Sequence, residues 1–176
     1  MYVPMDTGRT LCLTNTIREP VIPIRINYKG VQLWGPSGVS VWTTPTVDAK
    51  RRRIYVGTGD SSSDPAASTS DSILALDMDT GTIVWHHQFT FGDASCDLPD
   101  KRDCPVSNGP DFDFQQPPIL VNLDKRQRLL VAGQKSGIVY GFDPDDGGRE
   151  VWRLRVGSGG PLGGVNWGSA VDGDVM

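Results

Sequence analysis

Short apolar runs separated by clusters of glycine, proline, aspartate and serine recur along most of this chain. Val41, Thr43 and Val47 lie on a β-branched run, and Ile54, Tyr55 and Val56 make a second run; both favour strands. The polar stretch Asp48–Arg53 between them predicts a turn, and so an antiparallel hairpin. That hairpin ends in Gly57-Thr58-Gly59-Asp60, where glycines let the backbone bend sharply and approach a ligand closely. It carries Trp42 at its start and Asp60 at its end. An indole and a carboxylate at fixed separation suit a flat cofactor beside a cation. As plain structure, Trp42 is core and Gly57–Asp60 only a turn.

Two further hairpins repeat one another. Asp77, Asp79, Gly81 and Trp85 of Ile73–Trp85 align with Asp143, Asp145, Gly147 and Trp152 of Val139–Trp152, with one residue inserted before the second tryptophan. Each reads as strand, Asp/Gly turn, strand. Upstream of each lies another hairpin, Val41–Val56 for the first and Ile119–Ala132 for the second. Four strands per unit, recurring with a period of 67 residues from Trp85 to Trp152, predict propeller blades. The fold class is therefore all-β, a partial β-propeller of four-stranded antiparallel blades amounting to about two blades plus an edge. The blades span residues 35–90 and 110–157 and flank an insertion at 91–109. Residues 158–176 begin a third unit, since Asn166–Asp172 resembles Val41–Asp48. Residues 1–34, with Pro4, Pro20 and Pro23, read as an irregular tail or connection. A closed ring takes about four to eight blades, so the chain reads as a fragment of a longer protein or half of an assembly.

Composition sharpens this picture at a few points. Twenty-one glycines and 13 prolines among 176 residues favour many turns over helices. A net charge of −4 leaves no electrostatic footprint for nucleic acid, and the basic run Lys50–Arg53 reads as a solvated hairpin tip. No apolar stretch reaches the length of a membrane-spanning helix, and Met1–Arg18 lacks the pattern of a secretory leader. Of the three cysteines, Cys96 and Cys104 bracket the charged loop Asp97–Asp103. A bridge there would be worth roughly 2–3 kcal/mol and would imply an oxidising compartment; two free thiols are the alternative. His86 and His87 are adjacent, so on a strand they point to opposite faces and read as surface residues.

The repeated hairpin with Trp85 and Trp152 resembles the tryptophan-docking motif of the pyrroloquinoline quinone (PQQ) dehydrogenase propellers, where such tryptophans pack between blades. Other residues carry a functional resemblance. Trp42 stands where that family places the indole floor under PQQ. The bend Gly57–Asp60 is similar to the family's GTGN, whose Asn ligates calcium, with Asp60 18 residues after Trp42. Asp for Asn is a departure, and a carboxylate is at least as good a hard oxygen ligand. The stretch Gly133–Tyr140 resembles the segment presenting a basic side chain to the quinone oxygens, which makes Lys135 that cation. Gly163-Gly164-Val165-Asn166-Trp167 is similar to GGxNW, whose Asn166 and Trp167 equivalents line the PQQ pocket. The wording Gly30–Gly38, the two-cysteine insertion, Gly109–Phe114 and Leu129–Tyr140 resemble the polyvinyl-alcohol dehydrogenase branch, and the likeness runs from about Lys29 to Met176.

The resemblance implies part of an enzyme, a quinoprotein dehydrogenase oxidising an alcohol with PQQ and calcium and passing electrons to a cytochrome, in the periplasm. It puts a general-base aspartate in the 91–109 insertion, with Asp97 and Asp93 as candidates, Asp97 preferred for its offset. The other carboxylate ligand to calcium has no match in this chain, which leaves about half a site and an expectation of little activity from this stretch alone. The alternative is a non-catalytic propeller scaffold for protein–protein interaction. Such a scaffold keeps Trp85 and Trp152 but has no use for Trp42, Asp60, Lys135 and Asn166 together.

Overall fold

A computed structural model describes residues 7–96, 99–123 and 127–172. Two antiparallel meanders dominate it. The first comprises β4 (Thr46–Asp48), β5 (Arg53–Gly57), β7 (Ser72–Asp77) and β8 (Ile83–Gln88), in the order β4-β5-β7-β8. The second comprises β9 (Ile119–Asn122), β10 (Arg128–Gly133), β11 (Ile138–Asp143) and β12 (Arg149–Arg155), in the order β9-β10-β11-β12. These are the two blades expected from the repeats. The first hairpin is shorter than its apolar pattern: strand pairing begins at Thr46, and Val41–Thr43 precede it as irregular chain.

Period-two alternation decides which side chains meet. Tyr55, Ile73 and Ala75 of the first blade face Leu130, Ala132, Tyr140 and Phe142 of the second, with Phe114 between them, in one buried core. The intervening residues Ile54, Val56, Leu74 and Leu76 turn to the opposite face, where they line an apolar cleft of about 510 Å³. Trp85 packs over Gly148 in the second blade's turn, where a Cβ would come within 2.5 Å of its ring. Trp152, its repeat equivalent, packs on Gly141 of its own blade and stays 37% exposed.

Charge also ties the blades together. Arg128 bridges Asp48 of the first blade and Asp145 of the second, with the Arg128 and Asp48 side chains only 12% and 4% exposed. The Lys50–Arg53 turn differs from a merely solvated tip, because Arg51 reaches Asp145, Arg52 reaches Asp79 and Arg53 reaches Asp77. The two Asp/Gly turns lie close enough to neutralise it.

The stretch before Gly35 is more ordered than its pattern predicts. β1 (Ile22–Ile26) pairs with β2 (Gln32–Gly35), and β3 (Ser37–Gly38) pairs with β6 (Ser61–Ser63). The β1–β2 hairpin seats on the insertion: Arg25 donates to the Cys104 carbonyl at 2.8 Å, and the Arg102 guanidinium stacks 3.7 Å from the Tyr28 ring centre. Within the insertion, Cys96 and Cys104 form a disulfide and Lys101–Asp103 a short 3₁₀ turn. His87 stacks on Phe89 with 4.9 Å between ring centres, so it is half-buried rather than free at the surface. Among the described residues, no helix is long and apolar enough to cross a membrane.

Candidate functional site

The bend after β5 is fixed from both sides. Thr58 Oγ1 donates to the Thr69 carbonyl at 2.7 Å and accepts from the Ser72 amide at 2.9 Å. Glycine is needed at 57 because a Cβ there would lie 2.6 Å from Phe114 Cβ. At Gly59, a Cβ would lie 2.9 Å from Asp113 Oδ1 and 3.3 Å from Trp42 Nε1. The bend thus lets the approach to the second blade run hard against it. The Asp60 amide donates to Asp113 Oδ1 at 2.9 Å, and Asp60 Oδ2 accepts from the amide and hydroxyl of Ser95.

Three carboxylates meet at this junction. Asp60, Asp111 and Asp113 each present an oxygen, all within 4.8 Å of one another. Lys135, at the tip of the β10–β11 hairpin, sends its ammonium to 2.8 Å from Asp111 and 2.7 Å from Asp113. Its side chain is 5% exposed, and its ammonium lies 5.4 Å from the centre of the Trp42 ring, within cation–π range. Trp42 itself is 56% exposed.

The electrostatics follow from crowding like charges out of water. Burial raises the pKa of Asp60; hydrogen bonds from Ser95 oppose the rise, and the Asp113 charge adds to it. Burial pushes Asp111 up to about 6 against the pull of Lys135, with Asp113 reinforcing it. Burial opposes the charge on Lys135, but hydrogen bonds to Asp111 and Asp113 outweigh it and hold the ammonium above its usual pKa. Beneath the cluster Asp71 is pushed up to about 10, by burial first and then by the charges of Asp93, Asp113 and Asp60.

Trp42, Asp60 and Lys135, far apart in sequence, converge here. Asn166 arrives on a loop seated against the Lys135 turn, where Gly164 leaves no room for a Cβ beside the Lys135 carbonyl and the Val165 amide donates to Gln134 O. Its Oδ1 is buried with no hydrogen-bond partner, while Trp167 is 84% exposed. Asp93 is fully buried, and its two oxygens accept from the Asp111 and Phe112 amides at 3.2 and 3.0 Å. Asp97 lies outside the described residues. Asp111 and Asp113 escaped the sequence reading, although the alternation Asp111-Phe112-Asp113-Phe114 holds the clue. This stretch forms no strand, yet Phe114 is driven into the core while Asp111 and Asp113 both turn to Lys135.

Residues 27–155 match the PQQ family described as "Glucose/ethanol/alcohol dehydrogenase, beta-propeller domain". The chain belongs to that family. It is 40% identical over 169 residues to a polyvinylalcohol dehydrogenase of Pseudomonas sp, an alignment covering 94% of this chain and 26% of the relative. A polyvinylalcohol dehydrogenase of Sphingopyxis sp. is 39% identical over 171 residues, with the same coverage. Among solved structures, the quinohemoprotein alcohol dehydrogenase from Comamonas testosteroni superposes with a TM-score of 0.50 at 25% identity, covering 74% of this chain and 23% of that one. The chain spans about a quarter of the length of the curated relatives it matches. Within this PQQ family the two blades are a partial propeller, and Trp85 on Gly148 is the docking contact expected from the repeat.

Proposed function

We propose that this chain supplies part of the active site of a quinoprotein that oxidises alcohols, with PQQ and calcium as its cofactors. The observation that carries the reading is the meeting of Asp60, Asp111 and Asp113 with Lys135 beside the exposed face of Trp42. Three carboxylates against one ammonium leave a formal charge of −2 (−3 + 1), which a divalent cation balances. Burial raises the pKa of Asp60 and of Asp111, and the neighbouring Asp113 charge adds to both. The unpartnered Asn166 Oδ1 and the broad indole of Trp42 suit a flat polar cofactor. Both groups therefore fit the residues present.

When bound, PQQ would supply the two-electron oxidant for the carbinol and the cation would supply Lewis acidity. Asp60 and Asp113 would hold the cation, Trp42 would offer the apolar face for the quinone, and Lys135 and Asn166 would meet its polar atoms. Trp167 remains a candidate for the same wall. We assign the general base to Asp111 in preference to Asp93 or Asp97. Asp111 lines an open cleft of about 410 Å³ beside Ser95, Asn108 and Gly160, whereas Asp93 is sealed from solvent. A carboxylate pushed up to about 6 takes a proton readily near neutral pH. The convergence of Trp42, Asp60 and Lys135 is of no service to a mere scaffold. The Cys96–Cys104 bridge accords with a periplasmic enzyme, and the family likeness extends the proposal to a polymeric or other secondary alcohol as substrate and a cytochrome as acceptor.

The test is to titrate the full-length gene product with PQQ, with and without Ca²⁺, while following tryptophan fluorescence. Saturable quenching that needs Ca²⁺ and falls at least tenfold in affinity in Asp113→Ala, about 1.4 kcal/mol, is the expected result. Quenching that ignores Ca²⁺, or none at all, would overturn the proposal.

A further inference from the structure

Asp71 sits at the head of β7, entirely buried, and neither of its carboxylate oxygens meets an N–H or O–H donor. Such a group is costly to bury unless something satisfies it. The side chain that acts on it most strongly is another acid, Asp93, near enough to share a proton with it. Two carboxylates share a hydrogen bond only if one of them holds a proton. Asp93 has both oxygens engaged by backbone donors, the amides of Asp111 and Phe112. Asp71 has no such donors and burial disfavours its charge, so the proton belongs on Asp71.

The consequence reaches the cluster. Asp111 adopts a left-handed backbone, φ 57°, which a residue with a Cβ holds only when its surroundings enforce it. Asp93 is what grips it, accepting from its amide and the next one, with Gly109 so tight that a Cβ would lie 2.2 Å from Asp93 Oδ1. Asp111 and Asp113 then face Lys135.

We infer that Asp71 is a positioning residue: as a buried neutral acid it donates to Asp93, and Asp93 in turn locks the Asp111–Asp113 turn at the cluster. A neutral Asp71 also adds no negative charge to a place that already holds four carboxylates, Asp60, Asp93, Asp111 and Asp113. The link to cation binding rests on the function proposed above; the link to the turn does not.

The two are separable in one experiment on the full-length gene product, comparing wild type with Asp71→Asn and Asp71→Leu. An asparagine amide still donates to Asp93, whereas leucine fills the space and donates nothing. Hydrogen–deuterium exchange of the peptide spanning residues 109–114 reads the turn, and tryptophan-sensitised terbium luminescence reads the cluster. Asp71→Asn should match wild type in both. Asp71→Leu should speed exchange and weaken terbium binding by about tenfold each, the loss of one charge-assisted hydrogen bond. Equal damage from asparagine and leucine would overturn the assignment, because Asp71 would then act as a charged group; so would unchanged exchange in Asp71→Leu. Should the leucine variant not fold, Asp71→Asn decides alone, since faster exchange in it is incompatible with a donor role. If wild type binds no terbium, the cation proposal falls while the exchange comparison still judges Asp71.

Discussion

Lys135 shows how one side chain holds a site in register. Its ammonium satisfies two carboxylates from a segment with no ladder of its own, and its amide donates to the Asp113 carbonyl at 3.0 Å. Asp71 is the opposite case, an acid kept neutral by its surroundings. Its folded-state pKa lies far above the ordinary 3.8, so any stability that depends on the proton is complete below pH ~4 and drains as pH rises toward about 10. Above pH ~4 the unfolded chain releases the proton while the folded one keeps it. Asp71→Asn has no proton to lose. Its melting temperature should therefore equal that of wild type near pH 4 and exceed it by a margin that grows to pH 9, as scanning calorimetry can measure. Parallel melting-versus-pH curves would mean that Asp71 ionises freely in the fold.

The element that most resists change is the Asp/Gly turn of each repeat. Gly147 and Gly148 both have left-handed φ, 59° and 74°, yet only Gly148 lies under Trp85. Gly147→Ala meets open space and should cost about 1 kcal/mol, the price of a Cβ in that backbone region. Gly148→Ala incurs the same backbone cost and also drives a methyl to within 2.5 Å of the indole, so about 2–4 kcal/mol is expected. Urea denaturation of the pair separates the two contributions, and equal midpoints would show that Trp85 does not dock there. The repeat made this turn legible, because Asp77-x-Asp79-x-Gly81 and Asp143-x-Asp145-x-Gly147 write the same chemistry twice. Its partner across the blade boundary was not legible, since Gly148 occupies the inserted position and has no counterpart in the first copy.

At the scale of the whole molecule, two blades behave as one body because an apolar core and one buried ion pair cross their boundary. Arg128 is the charged part of that seam. Arg128→Ala removes the ion-pair partner of Asp48, which is 4% exposed and, among the described residues, keeps a hydrogen bond from the Arg51 amide. A loss of about 3 kcal/mol is expected, as for other broken buried pairs. Arg51→Ala removes a half-exposed partner of Asp145 and should cost under about 1 kcal/mol. Chemical denaturation of the two variants checks the ranking, and similar losses would place the boundary's strength in the apolar core alone. The outer faces carry an apolar cleft, lined by Ile54, Val56, Leu74 and Leu76 together with Cys12, Thr14 and Thr16, and the partly exposed Trp152.

Sequence by itself determined the blades and their strand order. Period-two alternation and turn chemistry act over a few residues, and a repeat states them twice. It also supplied Trp42, Asp60 and Lys135 as parts of a site through their family likeness. It looked to Asp93 and Asp97 for a base and did not single out Asp111 and Asp113, which meet Asp60. Nor did it reveal that Ile22–Ile26 forms a strand, for that ribbon is held by Arg25 and Tyr28 gripping an insertion some 75 residues away in sequence. Those facts were decided only by tertiary structure. Whether an aspartate is a ligand, a base or a buried prop depends on the donors and charges that surround it, and these come from segments that no local pattern connects.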